Sequence, residues 1–359
     1  MAITLKDLAR TLNLSVSTVN AALYNRKDIS SATRKRVQDM ARAINYHPNL
    51  VARSLKTRKT YVLGVIVPDL SRSFFAEVTK GIDMVASAQG YNLVLCNTGE
   101  DPSREEDQIA TLISKRVDGL ILASAHHPES AVAPKSLSLS GIPLVLVDRF
   151  FPGTNFVGAD DVKIGYLATK HLIEQGYRRV AHLRGPNVST AQGRLDGYLK
   201  ALRESGIEMR KEYILEAQFH DESGGYKAAK KVLNISPRPE AVFAASDPIA
   251  IGALEALLES GCRVPEDVGV IGVGSHRYGR YLRIPLSTVD QNRIEIGKRA
   301  ASLLLGLIEN GTNRKKPRLI LLDPKLIARE SSRCRAEARE SGGESLGASA
   351  PLRTVSRDE

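Results

Sequence analysis

The chain has 359 residues, of which 42% are hydrophobic and 25% charged, with no tryptophan, three cysteines and a net charge of +11. That length allows a large core and two or three domains. No apolar run approaches the roughly 20 residues of a membrane helix, and Lys6, Asp7 and Arg10 interrupt any signal-peptide pattern, so a cytoplasmic, nucleoid-associated location is expected.

Thr4 is placed to cap a helix Leu5–Leu12 whose Leu5, Leu8, Ala9 and Leu12 share one face. Asn13-Leu14-Ser15 reads as a turn and Val16–Tyr24 as a second helix with Val19, Ala22 and Leu23 inward. Ser30 caps a third helix to about Ile44, with Val37, Met40, Ala41 and Ile44 inward. Residues 1–48 thus form an all-α helix-turn-helix head. Its second helix would present Val16, Ser17 and Thr18 to base edges in a DNA major groove, with Asn20 and Ala21 next on the exposed side. Asn20 suits adenine or a phosphate equally. Thr4, Ser15, Tyr24, Asn25, Ser31, Thr33 and Arg34 complete the DNA-facing set, each of them equally readable as a solvated surface residue. The charge agrees. Residues 1–60 carry 12 Lys/Arg against 3 Asp/Glu, which is nine of the eleven excess positive charges. A basic head on a near-neutral body is the footprint of a phosphate-binding module on a carrier. Asn49–Lys56 is a basic, Pro-preceded segment, and 49–60 forms a hinge and linker.

After Thr60 the pattern changes. Apolar runs at Tyr61–Val67, Leu93–Cys96, Gly119–Ala123, Leu144–Val147 and Phe156–Val157 alternate with helices near 75–88 and 104–116. The rhythm repeats with strands Val180–Leu183, Ile214–Ala217, Ala241–Ala245 and Gly269–Val273 and helices near 163–175, 190–204, 223–233 and 247–260. Continuous apolar strands between amphipathic helices predict parallel sheets covered on both faces. Two α/β lobes follow, with a late helix, Arg293–Glu309, and a late strand, Arg318–Leu322, crossing back between them. The expected division of 61–331 is 61–160 plus 291–318 for lobe 1 and 161–290 plus 319–331 for lobe 2. The Ser-, Gly-, Arg- and Glu-rich segment 332–359 reads as a disordered tail.

Ligands of open α/β sheets bind outside the carboxyl ends of strands, so two such lobes face a cleft for a small molecule. No P-loop, GxSxG, HExxH or CxxC motif is present, and no enzyme is expected. Neither a metal nor a cofactor is expected: Cys96, Cys262 and Cys334 are odd in number and scattered, and the adjacent His126 and His127 make a poor metal pair better placed on a loop surface.

In order along the chain, "TLKDLARTLNLSVSTV", "ISSATRKRVQDMARAINYHPNLVARSLKTRKT", "LGVIVPDLSRSFFAEV", "VDGLILAS", "GIPLVLVDR", "GRLDGYLKAL", "AVFAASDPIAIGALEAL", "DVGVIGVG", "STVDQNRIEIGKRAASLLL" and "LIARES" resemble the LacI/GalR family of bacterial transcription regulators from Ile3 to about Ser331. The resemblance implies a DNA-binding head, a hinge helix and a core like a periplasmic sugar-binding protein. It also implies a homodimer on a double-stranded, pseudo-palindromic operator, repression as the commoner outcome, and control by a small effector. In relatives the segment matching Asn49–Lys56 becomes a minor-groove helix whose leucine wedges into a base step. Leu55 matches that leucine, Ala52 permits close approach, and Asn49, Arg53 and Lys56 flank them. Asn20 and Ala21 stand where relatives commonly have Ser and Arg, which predicts a shifted operator preference.

For the effector, the resemblance places Asp247 and Arg194 as a pair gripping hydroxyls across the cleft, the alternative being a mutual salt bridge. Phe74 is expected to stack on the ligand and Phe75 to pack inward. Asp69, Ser73, Asp148 and Arg149 line the same edge, Phe219 or His220 closes the sandwich, and Gln291 sits at a crossover. "GVGSH" stands where relatives usually show Gly-Phe-Asp-Asp, and Ser246 where Asn is common. A neutral monosaccharide or derivative is the first reading for the effector, and a purine or nucleoside the second. The tail holds only Leu346 and Leu352, so no coiled-coil tetramer is expected.

Overall fold

The structure is a computed structural model that describes residues 4–24, 28–46, 54, 57, 59–126, 141–217, 221–310 and 316–333. The chain forms two compact units, 1–60 and 61–359.

In the first unit α1 (Leu5–Leu12), α2 (Val16–Leu23) and α3 (Ser31–Ala43) enclose a core of Leu8, Ala9, Leu12, Val19, Ala22, Val37 and Ala41. Each helix begins on a hydroxyl cap. Thr4 and Asp7 make a reciprocal capping box, Ser15 accepts from the Thr18 amide, and Ser30 from that of Thr33. Side chains of α3 also tie the three helices together, because Arg36 donates to the Leu12 carbonyl and Gln38 to that of Ala22, both at helix C-terminal ends.

The second unit holds two six-stranded sheets. The first runs β11-β5-β4-β3-β1-β2, from β1 (Val62–Val67), β2 (Asn92–Asn97), β3 (Gly119–Leu122), β4 (Leu144–Val147), β5 (Phe156–Ala159) and β11 (Leu319–Leu322), all parallel. The second runs β12-β10-β9-β8-β6-β7, from β6 (Val180–Arg184), β7 (Ile214–Glu216), β8 (Ala241–Ala244), β9 (Gly269–Val273), β10 (Ser287–Asp290) and β12 (Lys325–Ile327), with only β12 antiparallel. Lobe 1 carries α4 (Ser73–Ala88), α5 (Pro102–Ser114) and α10 (Arg293–Asn310). Lobe 2 carries α6 (Asp161–Glu174), α7 (Ser189–Glu204), α8 (Glu222–Leu233) and α9 (Asp247–Glu259). Alternate residues of one strand feed different layers. In β8, Phe243 packs with α6 and α7, while Val242 and Ala244 pack with α8 and α9.

Three helix pairs cross on glycines. A Cβ at Gly197 of α7 would fall 2.0 Å from the Val162 carbonyl oxygen of α6, and one at Gly165 of α6 would fall 2.0 Å from that of Arg194. The α4–α10 and α8–α9 pairs repeat this with Gly81 and Gly297, and with Gly225 and Gly252.

Two boundaries differ from expectation. Residues 319–322 belong to lobe 1, paired to β5 as a sixth strand, because the chain returns to lobe 2 only at β12. The ordered core also extends past 331: Ser332 is fully buried, bonded through its hydroxyl to His171 (2.7 Å) and Ser287 (2.6 Å). The rest of the expected tail lies outside the described residues.

Candidate functional site: the interlobe cavity and the helix-turn-helix

A cavity of about 430 Å³ opens between the lobes. Lobe 1 contributes Ser71–Phe75, Glu77, Asp148 and Arg149. Lobe 2 contributes Thr190, Arg194, Glu222, Ser246, Pro248, Val273, Gly274 and His276–Tyr278, and Gln291 comes from the crossover. Strand ends and helix starts supply these residues, as parallel α/β topology requires.

Of the sequence-derived set, Ser73, Phe74, Phe75, Asp148, Arg149, Arg194 and Gln291 are brought together here. Phe75 is 2% exposed in the lobe 1 core; Phe74 is half-buried and meets it edge-on at 5.1 Å. Phe219 and His220 lie outside the described residues. Asp69 is not on the cavity wall: its carboxylate accepts from the Ser71 amide (2.9 Å) and hydroxyl (2.7 Å), shaping the turn into α4. Asp247 is not on the wall either. It is 1% exposed, and its oxygens accept from Thr288 Oγ1 and from the His276 amide, both at 2.6 Å. Arg194 pairs with a different acid, donating from Nε to Asp161 at 2.9 Å and from Nη1 to the Ala245 carbonyl. Asp161 escaped sequence reading because it lies 33 residues away and meets Arg194 only through the α6–α7 crossing.

The lobe 1 edge is a ladder of charge. Arg149 donates to both oxygens of Glu100 at 2.9 and 2.8 Å and to the Ser124 carbonyl at 2.8 Å, and Arg72 joins Glu100 at 2.7 Å. Fully buried Glu105 accepts from the Ser124 hydroxyl and the Ala125 amide, fixing the segment that carries that carbonyl. His126 is buried rather than on the surface, with Nε2 3.9 Å from Glu105; His127 lies outside the described residues. Burial pushes the carboxyls of Asp148, Asp247 and Glu105 up. Asp161 is raised to about 7 by burial and by the Asp148 charge, against the opposing pull of Arg194. Carboxyls next to arginines give both donors and acceptors for an oxygen-rich ligand. No group of three or more His, Cys, Asp or Glu placed to hold a metal occurs among the described residues.

In the head, Val16 is 42% exposed at the start of α2 and Ser17 is exposed, while Thr18, Asn20 and Tyr24 are half-buried. Ser15, Ser17 and Thr18 share hydroxyl contacts of 2.7 and 2.8 Å. Ala21 does not lie on the exposed side. It is 6% exposed, so it cannot reach a base edge. Thr4 and Ser15 act as caps, Ser31 is exposed at the start of α3, Thr33 is half-buried, and Arg34 donates to the Ile29 carbonyl at 3.1 Å. Asn25, Asn49, Ala52, Arg53, Leu55 and Lys56 lie outside the described residues.

A helix-turn-helix followed by a two-lobed core with an interlobe cavity is the architecture of an effector-binding regulator. Residues 4–49 match the family described as bacterial regulatory proteins, lacI family, and residues 60–330 match periplasmic binding proteins and sugar binding domain of LacI family. The chain belongs to the LacI family and is a DNA-binding transcriptional regulator. It is 38% identical over 331 residues to a ribose operon repressor of Haemophilus influenzae, covering 91% of this chain and 98% of that protein. It is 34% identical over 332 residues to the transcriptional repressor PurR of Mannheimia succiniciproducens, covering 91% and 98%. The solved lac repressor dimer bound to operator and the anti-inducer ONPF superposes with a TM-score of 0.79 at 25% identity, covering 93% of this chain and all of that one. No helix among the described residues is long and apolar enough to cross a membrane.

Proposed function

We propose that the protein is a repressor that binds a pseudo-palindromic operator as a homodimer, in the cytoplasm, under the control of a neutral monosaccharide or derivative held in the interlobe cavity. The observation that carries this reading is the cavity wall itself. The half-buried face of Phe74 stands with Asp148, Arg149, Arg194 and Gln291, an apolar ring surface among paired donors and acceptors. The relative named for the ribose operon supports the same class. A purine or nucleoside is the second reading, favoured by the relative named PurR and by the fit of a flat ring to Phe74.

A thermal-shift panel of sugars, sugar phosphates and nucleobases on the purified protein tests both. A specific ligand at 100 times its dissociation constant adds about 2.7 kcal/mol. Neutral sugars alone should give the shift; a response only to nucleobases would establish the second reading, and a response to neither class would sink both. Dimerisation is supported by the apolar side chains that lobe 1 leaves exposed, Met84, Val94 and Leu95. Light scattering should give the mass of a dimer, and a tetramer or a monomer at micromolar concentration would refute it.

The head would read DNA through Val16, Ser17, Thr18 and Asn20, with Leu55 wedging the central step. Residues 1–48, 49–60 and 61 onward divide the labour as head, hinge and effector-binding core.

A further inference from the structure

The turn after β9 crosses the cleft. His276 Nε2 of lobe 2 is hydrogen-bonded to Ser73 Oγ, at the start of α4 in lobe 1, at 3.0 Å. Arg293, the first residue of lobe 1 helix α10, reinforces the contact. It donates to the Ser275 carbonyl at 2.9 Å, approaches Ser73 Oγ at 3.5 Å, and is neutralised by Glu77 at 3.3 Å. None of these groups belongs to the acid–arginine set around Arg194 and Arg149.

The lobe 2 side of this contact is built rather than incidental. Ser275 has φ +52°, a conformation that L-residues rarely adopt, after Gly274 at φ +129°. Such a turn persists only where its surroundings fix it. Here Asp247 does so twice. One oxygen accepts from the His276 amide, and the other accepts from Thr288 Oγ1, which itself accepts from the Ser275 amide at 3.0 Å. A buried carboxylate thus organises three consecutive residues of backbone and aims the imidazole across the cleft. The cavity stays open with the bridge in place, and both Ser73 and His276 are on its wall. The bridge therefore closes the lobes around the ligand space without filling it.

We propose that His276 is the latch that holds the lobes closed around the cavity, and that Asp247 is its positioning residue rather than a group that grips the effector. The latch rests on the reading of the cavity as the effector site. Its thermodynamic role is distinct: a ligand that binds the closed form has an apparent affinity reduced by the fraction of molecules not closed. The latch raises that fraction before any ligand arrives. Removing it weakens effector binding without removing a ligand contact.

The test begins with the full-length, ligand-free protein. Hydrogen exchange is followed at 73–78 and 274–281 in S73A, H276A, the S73A/H276A double variant, H276Q and D247N. Each alanine variant should speed exchange on both sides of the cleft by about threefold to tenfold, the worth of one hydrogen bond. The double variant should be no faster than either single one, since both remove the same contact. H276Q, whose amide reaches to the position of Nε2, should restore protection. D247N should loosen 274–276 and also the Ser73 side, which Asp247 does not touch. Unchanged exchange at 73–78 in H276A, or additive effects in the double variant, would overturn the latch. Titration of the same variants with D-ribose then reads the coupling: if the wild type binds it, H276A should bind it more weakly by a similar factor. An unaltered affinity in H276A would refute the coupling. Failure of the wild type to bind ribose or any other panel sugar would count against the effector reading and leave the exchange result to decide the latch.

Discussion

His182 on β6 sits fully buried between two rings, stacked on Phe243 at 4.5 Å and on Tyr198 at 5.3 Å, with Nδ1 donating to the Phe243 carbonyl at 3.0 Å. Burial lowers its pKa to about 4 from 6.5. The unfolded chain therefore takes up a proton between pH 6.5 and 4 that the folded chain refuses. His182 stabilises fully above pH 6.5 and loses about 3 kcal/mol as pH falls to 4, at 1.36 kcal/mol per unit. Asp161 acts oppositely. Raised from 3.8 to about 7, it keeps its proton in the fold while the unfolded chain loses it, so its contribution falls as pH rises from about 4 to 7. The two slopes overlap and offset each other in the parent. Urea unfolding between pH 4.5 and 7 should separate them: compared with the parent, His182→Phe should lose stability as pH rises, and Asp161→Asn should gain it. Parallel pH profiles for all three proteins would refute both assignments.

The helix pairs fix where these side chains stand. The α6–α7 crossing depends on Gly165 and Gly197, and Arg194 lies one turn before Gly197. Gly197→Ala should force the helices apart at a cost of about 1–3 kcal/mol, move Arg194 off Asp161 and abolish the effector thermal shift. Gly306 of α10 meets nothing within 4 Å, and Gly306→Ala should stabilise by about 0.5–1 kcal/mol through helix propensity alone. Equal effects of the two changes in calorimetry would remove the crossing from the argument. The elements themselves were legible in the sequence, because strands buried on both faces leave continuous apolar runs and helix starts leave hydroxyl or carboxyl caps such as Thr4, Ser15 and Asp160. Sheet membership was not. Leu319–Leu322 carries no local mark of the lobe it joins, since pairing with β5 is a contact across some 160 residues. Side-chain partnership failed for the same reason. The pattern named Arg194 and Asp247 together, but a guanidinium takes whichever carboxylate the helix crossing brings near, and that is Asp161. Ala21 was misplaced by counting only one buried face on α2.

At the scale of the whole chain, the head and the core are separate compact units, each with its own hydrophobic centre. Substitutions should therefore separate their functions. Leu55→Ala should weaken operator binding at least tenfold, the loss of a wedge worth a few kcal/mol, and leave effector affinity nearly unchanged. Gel-shift and calorimetric titrations of one preparation check this, and equal losses in both would contradict the division.

Within the core the chain passes between the lobes three times, after β5, after β10 and after β11. The three passages lie side by side: the Asp160 amide donates to the Leu322 carbonyl, Asn292 donates to the Asp323 carbonyl at 2.9 Å, and Lys163 pairs with Asp323 at 2.6 Å. A single connecting strand would let one lobe swing, slide and twist independently. Three strands abreast, linked to one another, suppress sliding and leave rotation about the axis they share as the soft motion. Whatever occupies the cavity can then report itself to the rest of the molecule through one angle.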